Sequence, residues 1–206
     1  AAAVLRLAGK SIWITGASSG IGEALALAAA AKGARLALSA RNRAALEGVA
    51  EVCRARGSGM VLVQPLDMAD AAAFPAAVAA VKAAFGELDL LINNAGLGQR
   101  ASAVASRPEV IRRIFEVNFF GAVELTRAVL PAMIERRQGR IVVVSSVLGK
   151  FELPGRSAYV ASKHALHGYF DTLRAELAGT GVGVTIVCPG WIDTPISQHA
   201  LEADGS

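Results

Sequence analysis

The chain has 206 residues, 53% hydrophobic and only 18% charged, which excludes a disordered segment and suits one globular domain over 1–206 with a substantial core. Its net charge of +4 is carried by Lys and Arg residues spread along the chain rather than gathered in runs, so no nucleic-acid surface is expected. Cys53 and Cys188 have no C-x-x-C spacing, which argues against a disulfide framework or zinc site and for a reducing, cytoplasmic setting.

The run SIWIT (11–15) is the first of six short β-branched stretches. Directly after it, TGASSGIG (15–22) places Gly16, Gly20 and Gly22 at a strand-to-helix turn. Glycines there let the backbone approach a pyrophosphate, whose charge suits the free N–H groups and dipole of the helix that follows. The spacing is G-x-x-x-G-x-G rather than G-x-G-x-x-G, so taken alone the turn suits a nucleotide or only a bend. A helix is predicted over 21–32 and a second strand over 34–40, ending in Ala40 and then Arg41. An acid at this point would accept from a ribose 2′-hydroxyl, whereas an arginine meets a 2′-phosphate with a charge-assisted fork. Arg41 therefore favours NADP(H) over NAD(H), against the plainer reading of a solvated loop arginine.

Further along, helices are predicted over 43–56 and 70–85 and strands over 60–66 and 88–93. The longest uninterrupted apolar run, 24–31, is too short to span a bilayer, so no membrane segment is expected, and the opening AAAVLRLAGK lacks the pattern of a secretion signal. A long apolar helix over 108–137 encloses EVNFFG, which puts the amide of Asn118 where it needs partners. The strand over 139–146 ends in Ser145 and Ser146, and a last strand covers 182–189. The near-continuous apolar strands predict a parallel sheet covered on both faces, hence a doubly wound α/β fold. Sites in such sheets form beyond the carboxyl ends of the strands, where the two serines fall.

The helix predicted over 157–179 carries Tyr159 and Lys163, whose i, i+4 spacing gives them one face. A nearby ammonium lowers a phenol pKa from about 10, and the pair can then exchange a proton with a secondary alcohol or a ketone oxygen. A half-buried tyrosine beside a snorkelling lysine has the same spacing. His164, His167 and His199 have no carboxylate or cysteine cluster at ligand spacing, so no metal is expected. Trp13 reads as core, and Trp191 as core or pocket lining.

Together these motifs resemble the short-chain dehydrogenase/reductase family in its Tyr-x-x-x-Lys branch: TGASSGIG, NNAG (93–96), VNFFG, VSS (144–146), YVASK (159–163) and PGWIDT (189–194), in the family's order. The resemblance covers about residues 9 to 195 and implies a Rossmann fold. It also implies that Ser146 orients the substrate, Tyr159 is the general acid/base, Lys163 binds the nicotinamide ribose and Asn118 holds a relay water. The nucleotide would rest on Gly16, Ser18, Gly20 and Ile21, with Arg41 at the 2′-phosphate and Asp67 near adenine. Asn94, Ala95 and Gly96 would flank its ribose, and the Pro189–Gly190 turn with Ile192 and Thr194 would meet the nicotinamide.

Within the family the stretch 145–178 most resembles the 7 and 7B type, which by analogy points to an apolar carbonyl or alcohol substrate. Family members pair into homodimers or homotetramers through the helices matching 108–137 and 157–179. They also continue past the P-G element to a further edge strand, so this chain is expected to lack that strand and part of the substrate region, as a truncated piece rather than by nature. Because it begins without Met, an upstream anchor stays open. The competing reading is a nucleotide-binding sensor or scaffold without turnover, and an acyl-carrier-linked ketoacyl reductase differs from the leading reading only in substrate.

Overall fold

The computed structural model describes residues 7–206. Six strands, β1 (Ser11–Thr15), β2 (Arg35–Ser39), β3 (Val61–Val63), β4 (Leu90–Asn93), β5 (Gly139–Val144) and β6 (Val182–Val187), form one sheet. Its order is β3-β2-β1-β4-β5-β6, with every pair parallel. The order reverses between β1 and β4, as in a doubly wound Rossmann sheet.

The helices are α1 (Gly20–Ala30), α2 (Arg43–Ala55), α3 (Phe74–Phe85), α4 (Pro108–Phe115), α5 (Gly121–Glu135) and α6 (Ser157–Glu176). Alternate strand residues build two cores. Ile12, Ile14, Leu36 and Leu38 pack with Ala26, Ala30, Leu46 and Ala50 of α1 and α2. On the opposite face Trp13, Leu91, Ile141 and Val143 pack with Phe74 and Val81 of α3, Leu125 and Met133 of α5, and Leu166 and Phe170 of α6.

The prediction of a parallel sheet covered on both faces is met by these two cores. β6 is an edge strand, and while Val182 and Val184 are buried, Thr185 and Val187 are exposed. Among the described residues no seventh strand pairs with β6.

The helix predicted over 108–137 is modified. Glu116–Phe120 form a π-helical turn between α4 and α5. The continuous helical stretch Pro108–Glu135 is long and apolar enough by composition to cross a membrane, although no single run in it is. Its most apolar window is 56% buried inside the protein, which identifies it as a helix packed on the sheet.

Candidate active site

The carboxyl ends of β1, β4, β5 and β6 surround a cleft of about 770 Å³. Sixteen of the seventeen residues singled out from the sequence line it: Gly16, Ser18, Gly20, Ile21, Arg41, Asp67, Asn94, Ala95, Gly96, Ser146, Tyr159, Lys163, Pro189, Gly190, Ile192 and Thr194. The seventeenth, Asn118, is buried behind them.

At one end the chain leaves β1 through Gly16 and Gly20, both at positive φ, 64° and 58°, a backbone region that favours glycine. Ser19 stands at the N-cap of α1 with extended backbone, yet its side chain makes no capping bond. The first-turn N–H groups, which no helix satisfies internally, thus border the cleft at Gly20 and Ile21. A Cβ on Gly22 would lie 2.1 Å from the Gly16 carbonyl oxygen. Gly22→Ala should therefore cost on the order of 1–3 kcal/mol of stability and displace the turn. Urea unfolding together with nucleotide titration measures both effects, and an unchanged midpoint would show that the turn tolerates a methyl.

The Thr15 hydroxyl accepts from the Asn94 and Ala95 N–H groups at 3.0 and 3.1 Å. The Asn94 amide donates to the carbonyls of Thr15 and Gly16 at 3.0 and 3.1 Å. Asn94 is therefore spent on bracing the glycine turn. Asn93 reaches the other way, donating to Thr126 on α5 at 2.9 Å. Arg41 lies exposed at the cleft's rim. Asp67 is raised by partial burial, but the Ala69 N–H and Arg113, 3.0 Å away, bring its carboxyl below the usual range.

At the other end α6 presents Tyr159 and Lys163 to the strand ends. Lys163 is 3% exposed. Its ammonium donates to the Val144 carbonyl at 3.0 Å and lies 5.6 Å from the Tyr159 ring centroid, and burial lowers its pKa to about 8. The expected lowering of the tyrosine pKa is not found. Burial raises Tyr159 above its ordinary value, and the Ser146 hydroxyl and the Arg156 charge offset this only in part. The ammonium sits over the ring face, so the i, i+4 spacing brings the pair together without aiming the charge at the phenol oxygen. Ser146 also accepts from the Leu148 N–H at 3.1 Å.

Asn118 sits in the π turn, a break in helical geometry that often marks functional positions. Its Oδ1 accepts from the Leu97 N–H at 2.7 Å, and its Nδ2 donates to the Leu97 carbonyl and to Ser162 Oγ, each at 3.0 Å. The side-chain amide thus joins the loop after β4 to α6. Gly96 lies beside both groups: a Cβ there would be in ordinary contact with Asn118 Oδ1 at 3.4 Å and with Lys163 Nζ at 3.6 Å.

The sequence reading gave His167 no role beyond excluding a metal and did not single out Gln99. His167, one turn beyond Lys163, lies 3.1 Å from Ser145 Oγ, 3.6 Å from Cys188 Sγ and 4.0 Å from Asp171. It joins the ends of β5 and β6 to α6, and its place four residues after Lys163 was the available signal. Gln99, fully buried in the loop after β4, caps α6 from afar and left no local signal. Trp13 is core, whereas Trp191 is 79% exposed and lines the cleft.

A sheet with its order reversing at β1/β4, a glycine turn there and a Tyr-x-x-x-Lys helix facing it across the cleft define a Rossmann-type oxidoreductase scaffold. The short chain dehydrogenase family model matches residues 10–205, and the chain belongs to the short-chain dehydrogenase/reductase family. It is 47% identical over 198 residues to dehydrogenase/reductase SDR family member 7B of Bos taurus, a match covering 94% of this chain and 61% of that protein. Family member 7 of Homo sapiens is 44% identical over 197 residues, covering 94% and 58%. The chain thus spans about three fifths of these relatives' length. Among solved structures, a short-chain dehydrogenase/reductase from Burkholderia phymatum in complex with NAD superposes with a TM-score of 0.91 at 33% identity, covering 95% of this chain and 70% of that one. A metagenomic short-chain oxidoreductase in complex with NADP gives 0.86 at 34%, covering 91% and 85%.

Proposed function

We propose that the chain is the nucleotide-binding and catalytic part of an NADP(H)-dependent oxidoreductase that interconverts a carbonyl and a secondary alcohol on an apolar substrate. What carries this reading is the convergence, in one cleft, of an uncapped helix N-terminus behind a glycine turn and a hydroxyl pair backed by a buried lysine. The donor set suits a dinucleotide: N–H groups at Gly20 and Ile21 for a pyrophosphate, Arg41 at the rim for a 2′-phosphate, and Asp67 beside it. Bound nicotinamide supplies or accepts the hydride.

The chain's own residues handle the oxygen and its proton. Ser146 orients the substrate oxygen, and Tyr159 gives a proton to it or takes one from it. Lys163 binds the nicotinamide ribose and restores the tyrosine proton, and Asn118 keeps the loop after β4 fixed against α6. A relay water at Asn118 belongs to the same proposal. Leu97, Leu148, Trp191 and Ile196 are apolar parts of the lining and support an apolar substrate. Cys53 and Cys188 are free thiols, in keeping with a reducing compartment. Pairing through α4, α5 and α6 is supported by Phe120 and Ile134, exposed on that layer, and sedimentation showing only monomer at assay concentration would count against it.

The test of the cofactor is a fluorescence titration with NADPH and NADH of the wild type and Arg41→Ala. Loss of a charged partner costs about 1.5–3 kcal/mol, so NADPH should bind roughly 10- to 100-fold more weakly to the variant while NADH changes little. Equal weakening of both would remove Arg41 from the 2′-phosphate. Tight binding with no turnover on any carbonyl would favour a sensor or scaffold instead.

A further inference from the structure

Helix α6 begins behind Arg156, whose side chain provides no cap. The first N–H groups of a helix have no partner within it and must find one elsewhere. Here the partner comes from 59 residues earlier: Gln99 Oε1 accepts from the Ala158 N–H at 2.7 Å and also from the Tyr159 N–H at 3.3 Å. At the amide's other end, Nε2 donates to Ser106 Oγ at 2.9 Å, and Ser106 in turn donates to the Ser102 carbonyl at 2.9 Å. The Gln99 backbone is engaged too, its carbonyl accepting from the Arg156 guanidinium. Gln99 is 0% exposed, and a buried amide is costly unless its polar atoms are paired. The side chain's oxygen and nitrogen are both used, the oxygen on the helix that carries the phenol.

We propose that Gln99 is a positioning residue for Tyr159: its amide fixes the first turn of α6, and its carbonyl holds Arg156 beside the phenol. The inference rests on Tyr159 being the proton-transfer group. A glutamine acceptor satisfies the helix end without adding a negative charge next to a phenol that must ionise. Glutamate would accept the same two N–H bonds, lose the donation to Ser106 and add that charge.

The chain has two tyrosines, so in a Tyr169→Phe background the ultraviolet absorbance of tyrosinate reports Tyr159 alone, without substrate or cofactor. The groups acting on this phenol are the Ser146 hydroxyl and the Arg156 guanidinium, while the Lys163 ammonium faces the ring rather than the oxygen. Against that background Gln99→Glu should titrate higher, by on the order of one pH unit. Gln99→Leu should titrate lower, toward an ordinary phenol, because the loosened helix end admits water. Both should reduce kcat while leaving the nucleotide dissociation constant within about twofold. If folded Gln99→Glu titrates with its parent, the proposal is overturned, and should Gln99→Leu fail to fold, Gln99→Glu decides alone. A Tyr159→Phe protein that kept its activity would refute the proposed function while leaving the titration result standing.

Discussion

Tyr159→Phe is expected to lower kcat by roughly 10²- to 10⁴-fold, the range for removing a positioned general acid/base, with NADPH affinity nearly unchanged. Phenylalanine keeps the ring over which the Lys163 ammonium lies and loses only the hydroxyl that meets Ser146. The Gly16–Gly20 turn, Arg41 and the Asn94 brace are untouched, so the nucleotide end of the cleft has no reason to change. Fold stability should fall by no more than about 0.5–1.5 kcal/mol, the net worth of the lost hydrogen bond to Ser146. Turnover on a carbonyl panel, with a parallel fluorescence titration, separates the two quantities. Activity within tenfold of wild type would mean that another group moves the proton.

Lys163→Met is expected to be neutral to modestly stabilising at neutral pH and to destabilise the protein at high pH, while reducing turnover. The folded pKa of Lys163 is about 8, against 10.5 for the free side chain, because its charge is buried. A lysine depressed in the fold costs stability wherever it is charged in the folded state: the full cost applies below pH 8 and disappears as pH rises toward 10.5. The unfolded chain binds more protons between those values, so wild-type stability should climb with pH there. The cost is about 3 kcal/mol at neutral pH. Against it stands the bond to the Val144 carbonyl, whose loss costs about 1–3 kcal/mol. Methionine should therefore be neutral to modestly stabilising at pH 7 and destabilising near pH 10.5. Urea unfolding of both proteins at the two pH values reads the difference, and parallel pH dependences would show that Lys163 is not depressed.

Much of this architecture was legible in the sequence. The six strands announce themselves because buried parallel strands are nearly continuous apolar runs, and the glycine turn and the Tyr159–Lys163 spacing carry their own geometry. What was illegible depends on distant packing. The π turn at Glu116–Phe120 shifts the register by one residue, which periodicity cannot resolve. Spacing put Lys163 beside Tyr159 but could not say that the ammonium meets the ring face or that burial dominates the phenol. Gln99 looked like any polar loop residue, because its role depends on a helix start 59 positions away.

The reversal of strand order between β1 and β4 marks where β1–β3, with α1 and α2, meet β4–β6, with α4 to α6. There Ile12, Trp13 and Ile14 pair with Leu90, Leu91 and Ile92, Thr15 and Asn94 tie one end, Asp89 holds Lys10 and Ser11 at the other, and both cores run across the pair. The cleft straddles this junction, so neither half owns a complete site. A ligand bound across this junction would stabilise the folded arrangement by mass action, since the unfolded chain offers it no site.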